Sequence, residues 1–358
     1  MNTKNPTLAN YNCREVNPNL NQIRLNMKKR LTTLALILSG VAGFAQQDPQ
    51  FTQFMFSKLF TNPAFAGTTG AICADFIGRN QWTGFPGAPQ TGVLCVDASV
   101  SSHFGVGLSV DYDKLGFDKT IGAKLAGSYM IPVMSGLGKL SFGLELGIQN
   151  KNISGNWIAP DGTTSAGGAG TSGTITDAAI PASFSSTNYD LGLGIYFTHL
   201  NGTYFGLSST HLPDASESLT SKGAQTYKFD VARHYYVTAG TSFPLGSSGT
   251  FELRPNLLVK SDAKVTTFDV NANILYQKMF WLGCSYRMQD AIAPMLGFQS
   301  TIGKDPATMV TWKIGYSYDI TTSEIKTHSS GSHEIMLGAC KKIDHRPKPE
   351  SWEDVRFF

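Results

Sequence analysis

Alternating apolar and polar side chains recur along most of this chain. Between residues 140 and 150 every second side chain is apolar, and the ones between are small or polar. The same period of two recurs in residues 190–197 and 312–319. Because successive side chains of a β-strand point to opposite faces, each stretch predicts a strand with one apolar and one polar face. Such strands can build a soluble sandwich, or a membrane barrel whose apolar faces contact lipid.

The low content of charged residues favours the barrel. Charged residues make up 15% of the 358 residues, against roughly 25% in a soluble globular domain. The charges share one face of the predicted strands and the bulky apolar residues share the other, which disfavours a soluble sandwich. The 37 glycines and 22 phenylalanines suit crowded positions in a barrel lumen and an aromatic belt at the membrane interface.

Residues 1–45 predict a signal-peptide region. The positive stretch Met27-Lys28-Lys29-Arg30 precedes an apolar segment, residues 31–44, and small residues surround a cleavage site before Gln46. Residues 1–26 are polar and without pattern, which suggests Met27 as the true start. A buried helix is the alternative, and the flanking charges disfavour it.

Residues 46–69 predict a short amphipathic helix rather than a strand. Asp48 suits an N-cap, Pro49 suits the first helical turn, and Asn62-Pro63 would end the helix. We expect this helix on the periplasmic side. There it could pack on the barrel end, plug the barrel mouth or dock a partner.

Residues 70–341 predict an all-β fold, a transmembrane antiparallel β-barrel of about 14 strands. Short turns alternate with longer connections, notably residues 152–187 and 211–233. In bacterial barrels the strand number is even, the short turns face the periplasm and the long loops face the exterior. The sequence therefore predicts an outer-membrane protein with both termini in the periplasm.

The C-terminal segment, residues 342–358, breaks the strand pattern and predicts a periplasmic tail. It is either disordered or a partner-binding segment. Disordered tails seldom concentrate large apolar groups, and this one holds three aromatic residues beside charged ones. The candidate partner-binding residues are Trp352, Arg356, Phe357 and Phe358.

Two cysteines are candidates for a disulfide. Cys73 and Cys95 fall on neighbouring predicted strands, on the inferred lumen face, at nearly equal distances in sequence from a loop centre at Gly84. The exported compartment permits a disulfide. The alternative is that these thiols are free and buried or face lipid.

No catalytic, metal-binding or cofactor-binding motif occurs in the sequence. His333 and Glu334 are adjacent, but neighbouring strand residues point to opposite faces and cannot easily converge on one substrate. The net charge of +3 does not indicate a nucleic-acid partner. The charged side chains on the inferred lumen face predict a paired polar filling. They are Asp75, Arg79, Asp97, Lys124, Glu145, Arg287, Lys313 and Asp319.

Motifs at both ends of the mature chain carry a family resemblance. They are Asp48-Pro49-Gln50-Phe51-Thr52-Gln53-Phe54-Met55-Phe56, Thr61-Asn62-Pro63-Ala64-Phe65-Ala66-Gly67, Arg79-Asn80-Gln81-Trp82, Gly87-Ala88-Pro89, Gly331-Ser332-His333-Glu334-Ile335-Met336-Leu337 and Arg356-Phe357-Phe358. These motifs resemble the PorP/SprF family, outer-membrane proteins of the type IX secretion and gliding system in Bacteroidota. Lys341-Lys342 departs from the aromatic strand end expected there.

The resemblance implies a non-enzymatic barrel that works with type IX secretion components. Its partners would be periplasmic lipoprotein and ring subunits, or a large secreted surface adhesin whose export or anchoring it assists. The alternative is a passive channel or small-solute transporter, because a barrel of about fourteen strands is wide enough to need filling, plugging or water.

Overall fold

The computed structural model describes residues 48–84, 86–153, 156–158, 164–166, 184–213, 216–220, 226–246, 249–303 and 309–343. The signal-peptide region, with its start at Met27, lies outside the described residues. So do the tail residues Trp352, Arg356, Phe357 and Phe358.

The alternating stretches of the sequence form the strands of a barrel. They are β1 (Ala71–Asn80), β2 (Gln90–Ser99), β3 (Phe104–Leu115), β4 (Asp118–Val133), β5 (Gly138–Ile153), β6 (Phe184–His199), β7 (Tyr204–Thr210), β8 (His234–Gly240 and Phe243–Leu245), β9 (Phe251–Ser261), β10 (Thr266–Tyr276), β11 (Phe280–Arg287), β12 (Ala291–Ile302), β13 (Val310–Thr321) and β14 (Ser332–Lys342). Smaller elements are a helical turn, α1 (Lys58–Thr61), 3₁₀ turns at Pro63–Phe65, Met134–Gly136 and Glu324–Thr327, and loop hairpins that pair Asn156–Ile158 with Thr164–Ala166 and Ser216–Thr220 with Thr226–Asp230.

The strands close into one antiparallel ring. The main sheet holds 15 strand segments, and both segments of β8 pair with β9, so they count as one strand and the ring has 14. Each strand pairs with its neighbours in sequence, and β14 pairs with β1 to close the ring. The prediction of an all-β barrel of about 14 strands is confirmed. Among the described residues, no helix is long and apolar enough to cross a membrane.

The outer surface of the barrel is apolar. Leu108, Leu125, Leu146 and Leu191 are directly paired across four successive strands, and all four are exposed. Leucine rows of this kind on the outside of a barrel match the lipid-facing band of an outer-membrane protein.

Aromatic pairs mark one rim of this apolar band. The ring centroids are 5.0 Å apart for Phe104 and Tyr129, 5.0 Å for Phe251 and Tyr276, and 4.9 Å for Phe280 and Phe298. These rings are the belt that the phenylalanine content led us to expect, because aromatic side chains are favoured where lipid meets water.

The two ends of the barrel differ. The connections after β2, β4, β6, β8, β10 and β12 are short, and Ile343 follows β14 at the same end, which we call the short-turn end. The connections after the other strands meet at the opposite, long-loop end and include residues 211–233. Gly70 enters β1 at the short-turn end, whereas Asp48 contacts His211 and His234 at the long-loop end.

The N-terminal segment therefore runs through the lumen from one end to the other. We call residues 48–69 the plug. Both termini were expected on one side, whereas Asp48 and Ile343, the first and last described residues, lie at opposite ends of the barrel. In place of the expected short amphipathic helix the plug forms turns at residues 52–56, the four-residue α1 and the 3₁₀ turn.

The surroundings explain why no amphipathic helix forms. An amphipathic helix needs an apolar face and a solvated face, but barrel wall surrounds the plug. Phe51, Gln53 and Phe54 are all buried. Side chains of the wall, rather than a preceding helical turn, accept the backbone N–H groups of Thr52 and Gln53. Asp48 does not cap a helix, because the first helix among the described residues begins at Lys58.

The expected disulfide between Cys73 and Cys95 is wrong. Cys73 is bonded to Cys340 in β14, and Cys95 is a free buried thiol. The hairpin of β1 and β2 pairs Cys73 with Asp97. The hairpin is centred one residue later in the sequence than the predicted centre at Gly84. Moving the centre by one residue moves the partner of Cys73 by two residues. The partner of Cys73 comes instead from closure of the ring, which places Cys340 directly opposite it.

We predict that the Cys73–Cys340 disulfide covalently joins β1 to β14, where the barrel closes. Because the bond closes a loop across a sequence separation of 267 residues, the denatured oxidised chain should be more compact than the reduced one. Denatured protein should therefore migrate faster in non-reducing than in reducing SDS gels. Cys73→Ser should abolish the difference and Cys95→Ser should leave it intact. Loss of the difference in Cys95→Ser would contradict this pairing.

Candidate functional site

Glycines of the barrel wall make room for the plug. A β-carbon on Gly105, Gly143 or Gly194 would overlap plug atoms. The atoms concerned are the carbonyl oxygen of Ala66, the backbone N of Ala64 and Oδ1 of Asn62 respectively. The wall positions that approach the plug backbone most closely must therefore lack a side chain, which is the general reason for glycine at such contacts. Part of the high glycine content is therefore explained by a cradle, the glycines of the wall that pack closely against residues 62–66.

Asn62 fixes the middle of the plug. Its Oδ1 accepts a hydrogen bond of 2.9 Å from the backbone N of Ala64 and so caps the 3₁₀ turn. Its Nδ2 donates to the carbonyl oxygens of Ile195 in β6 and Leu207 in β7, at 3.1 and 3.2 Å. One side chain thus sets the local fold of the plug and attaches it to two strands.

Near its exit from the lumen the plug contains a glycine with a left-handed backbone conformation. Gly67 has φ of +68°, a conformation that glycine adopts without steric cost. Its N–H donates to Oδ2 of Asp97 in β2 at 2.9 Å. Next to it, Ser128 of β4 donates to the carbonyl oxygen of Ala66 at 2.6 Å. These contacts direct the chain toward β1.

Buried charges hold the other half of the plug. Glu334 in β14 is 0% exposed, and its carboxylate accepts the backbone N–H groups of Thr52 and Gln53 at 2.8 and 2.7 Å. Arg79 in β1 donates to the same carboxylate at 3.0 Å and to Asp319 in β13 at 2.7 Å. We call Arg79, Arg287, Asp319 and Glu334 together the charge lock.

Further contacts join the charge lock to the plug and to neighbouring acids. Thr52 Oγ1 donates to Asp319 at 2.8 Å. Arg287 in β11 contacts Asp319 at 3.3 Å, Asp269 at 3.0 Å and Asp290 at 3.1 Å. Breaking a buried ion pair by removing one partner generally costs about 3–5 kcal/mol, because a buried charge is left uncompensated. Displacing the plug alone would likewise strip Glu334 of two hydrogen-bond donors.

A second polar cluster holds the start of the plug at the long-loop end. Asp48 contacts Nε2 of His211 at 3.0 Å and accepts a hydrogen bond of 2.5 Å from Tyr236. Lys260 donates to the carbonyl oxygen of Asp48 at 2.6 Å. Asp190 contacts the other ring nitrogen of His211 at 3.0 Å.

Charge stabilises this cluster. Burial raises the pKa of Asp48, but the attraction of His211 and His234 and the hydrogen bond with His211 outweigh it, so that pKa lies well below its usual value. Burial lowers the pKa of His211, and Asp48 together with hydrogen bonds to Asp190 and Asp48 raises it to about 10. At neutral pH the contact is therefore an ion pair.

Asp48, His211 and His234 also have ligand-type atoms within 4.8 Å of one another. Protein groups already engage these atoms. The ring nitrogens of His234 face the carbonyl oxygen of Ala232 at 2.9 Å and the backbone N of Asp48 at 3.2 Å. The three side chains therefore form a hydrogen-bonded attachment of the plug to the wall.

The sequence motifs from the two ends of the chain meet at this plug. Arg79 and Glu334 converge on Thr52 and Gln53, although more than 250 residues separate the two charges. His333, next to Glu334, points outward and contacts Tyr316 at 2.7 Å, as the strand alternation predicts.

The loop that follows β1 packs against the same region. The backbone N of Trp82 donates to Oγ of Ser332 at 3.0 Å, and that of Gln81 donates to the carbonyl oxygen of Pro89 at 2.9 Å. The spacing of the motifs therefore reflects one assembly of plug, first strand and last strand.

Sequence reasoning placed the charged residues on the lumen face but missed what they bind. The structure confirms the inward placement of Asp75, Arg79, Asp97, Lys124, Glu145, Arg287 and Asp319, all of which are buried, and Lys313 lines the lumen. The plug contacts of His211 and Lys260 had no local sequence signal, because they lie more than 150 residues from Asp48. Glycines on the polar strand face were the available signal for the cradle.

The sequence profile described as "Type IX secretion system membrane protein PorP/SprF" matches residues 43–339. The chain belongs to the PorP/SprF family. The resemblance drawn from the terminal motifs is thereby confirmed. Family and barrel together identify this PorP/SprF protein as an outer-membrane component of the type IX secretion system.

Several solved structures are similar to this PorP/SprF barrel at low sequence identity. A FadL homologue of Pseudomonas aeruginosa is 11% identical, with a TM-score of 0.46 over 85% of this chain and 100% of its own. The toluene transporter TbuX of Ralstonia pickettii is 12% identical, with a TM-score of 0.46 over 80% of this chain and 94% of its own. The toluene transporter TodX of P. putida is 10% identical, with a TM-score of 0.46 over 86% and 100%. No curated protein matches the sequence.

We predict that a side chain at Gly143 expels the plug. A β-carbon there overlaps the backbone of Ala64, whereas one at Gly127 on the outer face of β4 meets nothing within 4 Å. In planar bilayers the wild-type protein and Gly127→Val should pass no steady ion current, and Gly143→Val should open stable pores. A wild-type protein that already conducts like Gly143→Val would contradict the plugged state and favour a passive channel.

Proposed function

We propose that this PorP/SprF protein is a closed, non-enzymatic scaffold of the type IX secretion system. It would assist the export or surface anchoring of a large adhesin, or anchor periplasmic lipoprotein and ring subunits of the secretion and gliding apparatus. The observation that carries the proposal is the plug, which crosses the lumen and is held by the charge lock. A barrel closed in this way is poorly suited to pass solutes. Its protein partners must therefore bind to surfaces other than the lumen.

The lengths of the connections support an orientation of the barrel in the membrane. We place the short-turn end in the periplasm, because short turns face that side in bacterial barrels. Ile343, the last described residue, lies at this end. The C-terminal tail that follows would then start within reach of periplasmic subunits, whereas Asp48 and the long loops would lie toward the cell surface.

The tail is the proposed docking segment. Closure of the barrel satisfies the backbone groups of the strands in lipid, so residues 347–358 are not required for the barrel itself. Their content of large aromatic side chains is high for a solvated tail. Trp352, Arg356, Phe357 and Phe358 are the residues proposed to bind a periplasmic subunit, because aromatic and arginine side chains dominate binding energy at protein interfaces.

Deletion of residues 347–358 tests this proposal. The deleted protein should reach the outer membrane at normal abundance but lose its co-purifying periplasmic subunits, the surface display of the adhesin, or both. The combined change Trp352→Ala, Phe357→Ala and Phe358→Ala should act like the deletion. Lys348→Ala, in the same tail but without an aromatic group, should behave like the wild type.

Survival of both partners and display at normal barrel abundance would overturn the docking role of the tail. The barrel and family assignments would remain, because they rest on the strands and on residues 43–339.

A further inference from the structure

The plug leaves a cavity at the short-turn end of the lumen that the scaffold function does not use. Its volume is about 400 Å³, and a smaller cavity of about 270 Å³ adjoins it. Both are lined by Met55, Phe56 and Lys58 of the plug and by Tyr204 and Lys313 of the wall. The larger volume lies within the usual range of small-molecule sites, about 300–1,000 Å³.

Three cations line this cavity. Lys58 comes from the plug, Arg254 from β9 and Lys313 from β13. Arg254 pairs with Glu252 at 2.7 Å. The ion pairs of the described residues include neither Lys58 nor Lys313, and Asp75, the acid that acts on Lys313 electrostatically, lies beyond ion-pair distance. The two cavities are lined by three cations and two carboxylates, Glu252 and Asp75, so an excess of positive charge remains.

The position of Lys58 shows the consequence of this excess. Its Nζ lies 3.5 Å from the centre of the Tyr204 ring, a cation–π contact in place of a carboxylate. An anion bound between Lys58 and Lys313 would reduce the repulsion between these two charges.

The remaining walls are aromatic and aliphatic. Phe56 and Trp281 lie with ring centroids 5.2 Å apart, and Met55 and Leu275 line the same space. Trp281 is 4% exposed, and its indole N–H has no hydrogen-bond partner. That N–H is itself buried and does not face the open space, so the cavity offers an apolar wall and two cations that lack an ion-pair partner among the described residues.

We propose that this cavity binds a small organic anion, a carboxylate carried on an aromatic or similarly apolar body. Lys58 and Lys313 bind the carboxylate, and the rings of Phe56, Tyr204 and Trp281 pack against the apolar body. The site is formed jointly by plug and wall, so its occupation links the plug to β13 and adds to the attachments at the charge lock. It is independent of the proposed tail docking.

Binding of phenylacetate to the full chain in detergent tests the proposal by calorimetry. Phenethylamine and 2-phenylethanol serve as cationic and neutral probes with the same ring. Phenylacetate should bind saturably at one site, at least about tenfold more tightly than either, since a hydrogen bond to a charged group gives roughly a factor of ten. Lys58→Met and Lys313→Met should each weaken phenylacetate binding about tenfold or more.

Lys341→Met is the matched control, because Lys341 is exposed near the same end of the barrel and lines neither cavity. Its affinity should equal that of the wild type. Lys313→Met changes the wall rather than the plug, and a closed plug in that variant, shown by the absence of bilayer current, separates lost binding from lost structure. Equal affinity for all three probes, or full affinity in either lysine variant, would overturn the proposal.

Discussion

A closed ring of fourteen strands is too wide for its own side chains to fill. Eight strands leave a lumen that side chains just fill, and the diameter grows roughly in proportion to strand number. This protein fills the excess width with its own N-terminal segment. The wall is shaped to that segment, because a β-carbon at Gly105 or Gly143 would overlap the plug backbone and one at Gly194 would overlap the side chain of Asn62. Plug and wall are therefore parts of one packed interior.

Closure of the ring and filling of the lumen depend on the same strands. β1 and β14 are joined by the ladder, by the Cys73–Cys340 bond and by the ion pair of Arg79 with Glu334. The same Arg79 and Glu334 hold Thr52 and Gln53. The contacts of Arg79 and Glu334 with Thr52 and Gln53 are therefore complete only when the last strand is paired with the first.

Alternation in the sequence was enough to predict the strands, because lipid outside and a polar lumen inside impose opposite demands on successive side chains. Alternation also placed the charged residues inward. The helix predicted at residues 46–69 failed because its spacing rules assume one solvated face, and the lumen offers none. The Cys73–Cys95 pairing failed because hairpin arithmetic depends on the loop centre and ignores the ring partner of β1. The contacts of Asp48 with His211 and Lys260 follow only from the closed barrel.

Hydrogen exchange at the backbone of residues 51–66 tests the central claim most directly. The account predicts that the N–H groups of Thr52 and Gln53, which Glu334 accepts at 2.8 and 2.7 Å, exchange as slowly as those of β1 and β14. Glu334→Ala should accelerate exchange in the plug while the strands stay protected. Exchange of residues 51–66 in the wild-type protein at the rate of an unstructured peptide would show that the segment does not occupy the lumen, and would contradict the account.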